Sequence, residues 1–461
     1  MFELRSLNTH QEDSRMRQNR NAQSSIFDFY SKHEQSQQLR KLSELLDQHP
    51  IILILVEKDF DQPCKRNTGA RGLSFESILR CLLLKQILGV SYDKLAFHLS
   101  DSPTYRTFTR LHEGRSPSKS ALQSTVRRIS ANTLRQINQQ LMLHWFEEEN
   151  LSLESVRIDS TVVQSNILDP HDSQLLTDGI RVLTRLMLKS RDITGVKLRF
   201  IDQRKRSKSL AFKIFHAKKA EKEALYPKLL ACVTTTLKQV ERGIEKVDHQ
   251  TEDVKRASHW AANVEHYRAL MLRVVDQTQR RIYLNEKVPS SEKLVSLFEA
   301  HTDIIVKAQR DVQYGHKINL ATQADGFVTY LNIEHGNPSD KSLYQPVLKA
   351  SIEDYGQLPT ETVADGGYAS QNNVSEARED GVARVVFNKR CGLSYHQMGV
   401  KKKTFIRLRD FRAGVEGNIS ELKRVFGMGK VTWKKYDGFC AYVWSCALSY
   451  NLMRMVRFSS A

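Results

Sequence analysis

Glu154-Ser-Val-Arg-Ile-Asp-Ser-Thr-Val-Val-Gln164 is the stretch that decides how this chain folds. β-Branched and apolar residues surround one aspartate, Asp159, which is the pattern of a buried strand. Side chains alternate across a strand, so Val156, Ile158, Ser160 and Val162 share one face. Arg157, Asp159, Thr161 and Val163 share the other. A carboxylate in such a strand costs free energy unless it is paired, hydrogen-bonded or bound to a cation. The remaining sequence has to supply whatever neutralises Asp159.

Working outward, 461 residues suffice for two or three domains, each with its own core. An apolar fraction of 40% and a charged fraction of 26% are ordinary for a soluble globular protein. The charge balance is not: 70 Lys and Arg against 52 Asp and Glu leave +18. That excess points to a polyanion, and nucleic acid fits better than a membrane surface because the charge is spread out and no lipidation motif accompanies it. The longest apolar runs, such as 51–56, are too short to span a bilayer, and the polar stretch 8–25 lacks a signal-peptide core. Six scattered cysteines without C-x-x-C spacing read as reduced thiols. A cytoplasmic protein without a membrane role is expected.

Residues 1–70 read as a polar lead-in with some helix. From 71 to 150 the pattern is helical: Phe75, Ile78, Leu79, Leu82, Leu83 and Ile87 follow helical spacing up to Gly89. Ser91 caps a short helix, Pro103 opens another, and Ser118 or Ser120 starts a longer one running to Trp145. Arg106, Arg110 and Lys119 are expected on the surface. Short helices with surface basic residues suit a helix-turn-helix reader of DNA, or a plain helical bundle.

After the Asp159 strand, 173–301 reads as a helical insertion with two long amphipathic helices, and Trp260 as a helix-packing residue. Strand signals resume at His316. Lys317–Thr322, a turn at Asp325-Gly326 and Phe327–Ile333 form a hairpin signal, with Asp-Gly suiting a type I′ turn. A helix over 342–355, a strand Glu361–Asp365 before Gly366-Gly367, and a strand at 383–388 follow. A helix from Phe405 to Phe426 and a packed C-terminal helix in 431–461 close the chain. This order predicts an α/β fold in which 151–172 and 302–430 build a mixed sheet with flanking helices.

Three acids emerge: Asp159, Asp365 at a strand end, and a glutamate on the late helix. On that helix Arg412, Glu416, Ser420 and Lys423 lie along one face beside an apolar stripe, whereas Glu421 points elsewhere. Glu416 is therefore the third acid. Each acid alone has a plainer reading: Asp159 bonded to a neighbouring hydroxyl, Asp365 forming a turn, Glu416 pairing with Arg412. Converging together, the three would repel unless cations were present, and Mg²⁺ suits carboxylate and phosphate oxygens. Two such ions, with Mn²⁺ as a substitute, support phosphodiester chemistry.

Arg412-x₃-Glu416-x₆-Lys423, Asp159-Ser-Thr and Ala364-Asp-Gly-Gly-Tyr368 together resemble a bacterial insertion-sequence transposase of the DDE type with an RNase H-like core. The family signature Tyr-x₂-Arg-x₃-Glu-x₆-Lys is matched except at its tyrosine, where Arg409 stands. Ser91-Tyr-Asp-Lys-Leu95 and Arg106-x-Phe108 are similar to the helical N-terminal domain of such enzymes. Pro170-His-Asp-Ser-Gln-Leu-Leu-Thr-Asp-Gly-Ile-Arg181 most resembles the ISNCY group.

The resemblance implies that Asp159, Asp365 and Glu416 bind the two metals and act as the catalytic acids. It implies that Arg412 and Lys423 contact DNA phosphates and that residues 71–150, with Arg106, Arg110 and Lys119, bind terminal inverted repeats. It further implies cleavage, strand transfer into target DNA, a homodimer bridging two ends, and association with the nucleoid, and it offers for Trp260 a second reading beside helix packing, stacking on an unpaired base at the element end. Two other readings use the same residues: an inactive transposase-derived DNA-binding protein, and a metal-dependent nuclease without strand transfer.

Overall fold

The computed structural model describes Tyr30 and residues 32–60, 72–111, 116–148, 153–307, 311–388 and 393–458. Seven helices come first: α1 (Glu34–Gln48), α2 (Ile51–Lys58), α3 (Phe75–Ile87), α4 (Tyr92–Asp101), α5 (Pro103–Phe108), α6 (Lys119–Val126) and α7 (Ala131–Glu148). Ser74, Ser91, Ser102 and Ser118 each accept a backbone N–H at a helix start, satisfying donors that the helix cannot. α1 and α2 fall within the stretch read as a polar lead-in. Leu39, Leu42 and Leu46 of α1 recur at helical spacing and are buried, with Ile52, Leu55 and Val56 of α2. The lead-in reading thus gives way over 34–58, while 1–29 lie outside the described residues.

The single helix expected from Ser118 to Trp145 is broken. α6 ends at Val126, and Ser130 starts α7 afresh by accepting the Thr133 N–H at 3.1 Å while Asp59 accepts the Ser130 N–H at 2.7 Å. A new cap stabilised from outside the segment overrides the continuous apolar pattern.

β1 (Ser155–Gln164) follows, then α8 (Asp172–Leu188), α9 (Ser190–Thr194), α10 (Arg204–His216), α11 (Lys219–Gln250) and α12 (Val254–Ile282). These five helices share a core of their own, drawn from Leu175 to Leu297 and including Leu229, Val233, Trp260 and Met271. Trp260 is 1% exposed and donates its indole N–H to the Leu186 carbonyl at 2.9 Å, as a packing residue does. α11 and α12 are the two long amphipathic helices expected.

The chain then lays down β2 (Asp303–Lys307), β3 (Asp311–Gln323), β4 (Val328–Ile333), α13 (Tyr344–Tyr355), β5 (Glu361–Asp365), α14 (Gln371–Glu379) and β6 (Arg384–Asn388). It ends with α15 (Lys402–Arg412), α16 (Gly414–Arg424) and α17 (Tyr436–Phe458). The strands form one mixed sheet in the order β2-β3-β1-β5-β6, with β4 also paired to β3. This is the mixed sheet with flanking helices that the sequence predicts, consistent with an RNase H-like core.

Two details differ from the sequence reading. β2 is an additional strand, and β3 begins five residues before His316. The β3–β4 connection is not a type I′ turn. Such a turn needs positive φ at both central residues, and here Gly326 has φ +81 while Asp325 is absent from the positive-φ residues. A register shift at Ala321/Thr322 and packing against Gly326 set the connection instead. A Cβ on Gly326 would lie 2.4 Å from a guanidinium nitrogen of Arg454.

The N-terminal helices and the sheet share one core. α7 and α3 pack on α17, Trp145 meets Phe327 at 6.0 Å, and Asn451 bonds both Asn138 and the β4 backbone.

Candidate active site

Strand register places the first two acids. β1 and β5 run parallel with Ile158 opposite Ala364, so Asp159 and Asp365 are the next residues on adjacent strands. Parallel partners point to the same face, which brings the two carboxylates together at the end of β5. Asp159 is mostly buried, with 17% of its side chain exposed, whereas Asp365 is half exposed.

The third acid arrives on α16. α15 stops at Arg412 and α16 starts at Gly414, so the helix expected from Phe405 to Phe426 is interrupted inside the motif itself. Arg412 still reaches Glu416 one turn on, at 3.5 Å, and Glu416 sits in the first turn of α16, where the helix dipole favours an anion. Glu421, the competing residue, is held by Arg454 at 3.4 Å and Arg457 at 2.6 Å.

Arg412 stands among all three acids. One terminal nitrogen lies 3.4 Å from Asp159 and 3.3 Å from Asp365, and the other faces Glu416. The guanidinium is 12% exposed, and its Nε is buried with no hydrogen-bond partner among the described residues. A basic residue therefore neutralises Asp159 here, where the sequence reading assigned that task to metal alone. The Oδ1 of Asp159 accepts the Ser160 N–H at 2.8 Å. Burial pushes the Asp159 carboxyl up to about 6; Asp365 and Asp340 add to the rise, while Arg412 and the Ser160 N–H oppose it. Among the described residues no group of three or more His, Cys, Asp or Glu closes on a common point that could hold a metal.

Two neighbours escaped the sequence reading. Asp340 accepts from Ser160 Oγ at 3.3 Å and Lys317 Nζ at 3.1 Å, and a Cβ on Gly367 would meet its Oδ2 at 2.7 Å. It packs beside both aspartate-bearing segments, and no local motif announces it. Arg157, on the Asp159 face of β1, is buried beneath α15 and α16.

Of the other basic residues predicted for DNA, Lys423 shares α16 with Glu416, and Arg106, Arg110 and Lys119 belong to the N-terminal helices and their connections. Lys423 is in the last turn of α16. Arg106 is half-buried rather than exposed, donating to the Leu99 carbonyl and Ser116 Oγ at 3.3 Å each. Arg110 is also half-buried, paired with Asp47 at 2.6 Å. Lys119 is exposed, 3.7 Å from Asp93. His316 is fully buried in a histidine pair with His301, and Lys317 serves Asp340.

Comparison with known families settles the class. Residues 306–452 match the family described as Transposase DDE domain, and 27–128 match Transposase domain (DUF772). The two matches together indicate an insertion-sequence DDE transposase. The first match of this transposase contains Asp365, Arg412 and Glu416, and the second covers α1 to α6; β1 with Asp159 and the helical insertion lie between them. No curated protein and no solved structure matches the transposase chain. Among its described residues no helix is long and apolar enough to cross a membrane.

Proposed function

We propose that this transposase binds the terminal inverted repeats of an insertion sequence, cleaves at the element ends and joins them to target DNA. The observation that carries this reading is the convergence of Asp159, Asp365 and Glu416 on one guanidinium. Three carboxylates from two strands and a helix already gather round a cation, and their hard oxygen donors suit Mg²⁺, with Mn²⁺ as a substitute. A pair of such ions supplies, when bound, activation of a water or 3′-hydroxyl and stabilisation of the leaving oxygen.

Asp159, Asp365 and Glu416 would hold the metals, which requires Arg412 to withdraw from the carboxylates. Withdrawn, its planar donor fork matches a phosphate at the cleaved bond, and Lys423 adds a point charge further along α16. The excess of +18 holds the DNA backbone electrostatically. Arg106, Arg110 and Lys119 belong to the helices proposed to read the repeats. Two ends must be brought together, so a homodimer is the proposed working unit.

The test uses DNA carrying the element's inverted repeats. Wild-type protein should nick it with Mg²⁺ and transfer precleaved ends, while the Asp159→Asn, Asp365→Asn, Glu416→Gln triple variant should bind it without nicking. Equal nicking by the triple variant would overturn the site, and nicking without strand transfer would reduce the protein to a nuclease.

A further inference from the structure

Arg157 sits two residues before Asp159 on the same face of β1, yet it is 7% exposed and bonds no carboxylate through its five described hydrogen bonds. Its Nε donates to Thr322 Oγ1 at 3.1 Å, and Nη2 donates to the Gln323 and Ala324 carbonyls at 3.1 and 3.4 Å. These three acceptors belong to the end of β3 and the connection after it. On the other side, Nη1 donates to the Phe411 carbonyl and Nη2 to Asn418 Oδ1, both at 3.1 Å. Phe411 is the residue before Arg412, and Asn418 lies two residues beyond Glu416.

The guanidinium also lies over the Phe411 ring, 4.8 Å from its centroid. A Cβ built on Gly414 would stand 1.9 Å from Nη1, so only glycine lets α16 start this close. Burying a cation among neutral acceptors is costly, and burial lowers the pKa of Arg157. An apolar residue would fill the space without that cost. What it could not supply is a rigid planar fork with donors to a strand end, a helix end and a helix start together.

We infer that Arg157 is a positioning residue for the metal-binding centre: it fixes the interrupted α15–α16 segment, and with it Arg412 and Glu416, onto the strand that bears Asp159. The inference rests on the proposed role of Glu416. Arg157 touches neither DNA nor metal in this scheme; it acts by setting where Glu416 stands relative to Asp159. Lysine has one charged nitrogen and cannot span the three elements, so it should not substitute.

The test measures Mn²⁺ affinity of DNA-free protein by electron paramagnetic resonance, together with nicking at several Mg²⁺ concentrations. Arg157→Gln and Arg157→Lys, studied below their unfolding temperatures, should each weaken Mn²⁺ binding by about tenfold or more and raise the Mg²⁺ needed for nicking, while inverted-repeat binding persists. Gly414→Ala should weaken Mn²⁺ binding in the wild-type background but add nothing to Arg157→Gln, because the clash requires the guanidinium. Unchanged Mn²⁺ affinity in folded Arg157→Gln would overturn the inference, as would full additivity with Gly414→Ala. If Arg157→Gln fails to fold, Gly414→Ala alone decides: wild-type affinity in that variant overturns it. Glu416→Gln is measured alongside, and unaltered nicking there would remove the proposed site itself, a result separable from a failure of Arg157.

Discussion

At the scale of single residues, Asp159 shows how burial and charge oppose one another. Burial raises its pKa from 3.8 to about 6, against the pull of Arg412 and a backbone N–H. The folded protein therefore binds more protons than the unfolded chain between those values, and stability falls as pH rises through that window. In a chelating buffer, unfolding by denaturant should show this loss, roughly 3 kcal/mol in all from a shift of this size. Asp159→Asn should lack that component of the slope; identical slopes in the two proteins would mean that Asp159 titrates normally. The aspartate itself was legible in the sequence, because a lone acid in a β-branched run stands out. Its counter-ion was not, because Arg412 is 253 residues away and only the tertiary fold brings them together.

At the scale of elements, helical periodicity located nearly every helix but missed two breaks. Both the Val126–Ala131 break and the Arg412–Gly414 break occur where an apolar stripe continues, and both are fixed by groups from elsewhere: Asp59 in one case, Arg157 in the other. Gly414 within the signature was the one local sign of the second.

The sheet edge holds a further construction that spacing could not reveal. His301 Nε2 contacts Glu299 at 3.0 Å, His301 Nδ1 contacts His316 Nε2 at 2.8 Å, and His316 Nδ1 contacts Asp303 at 2.9 Å. Three hydrogen bonds between two carboxylates and two imidazoles need three protons, one more than two neutral rings carry. Burial pushes His301 below its ordinary range. The chain of bonds ties the exit of the insertion to β2 and β3, and Glu299 also accepts the Lys435 N–H ahead of α17.

At the scale of the whole molecule, a helical unit with its own core interrupts the mixed sheet after its first strand, and the chain resumes the sheet at β2. The alternation of strands and helices after 302 made the mixed sheet legible, and the excess of basic residues made a nucleic-acid partner legible. That α1 to α7 share one core with the sheet was not legible, since the contacts join α7 to a helix about 300 residues later. The N-terminal helices are thereby bound to the body that carries the acids.

In the proposed mechanism Asp159, Asp365 and Glu416 form one metal-dependent centre that cuts DNA. The decisive comparison is between the two glutamates of α16, because Glu416 faces Arg412 and the aspartates while Glu421 is held by Arg454 and Arg457. Single-turnover nicking of an inverted-repeat end in Mg²⁺ should fall by about a thousandfold or more in Glu416→Gln and stay near the wild-type rate in Glu421→Gln. Full nicking by Glu416→Gln, with loss of nicking in a folded Glu421→Gln, would contradict the account.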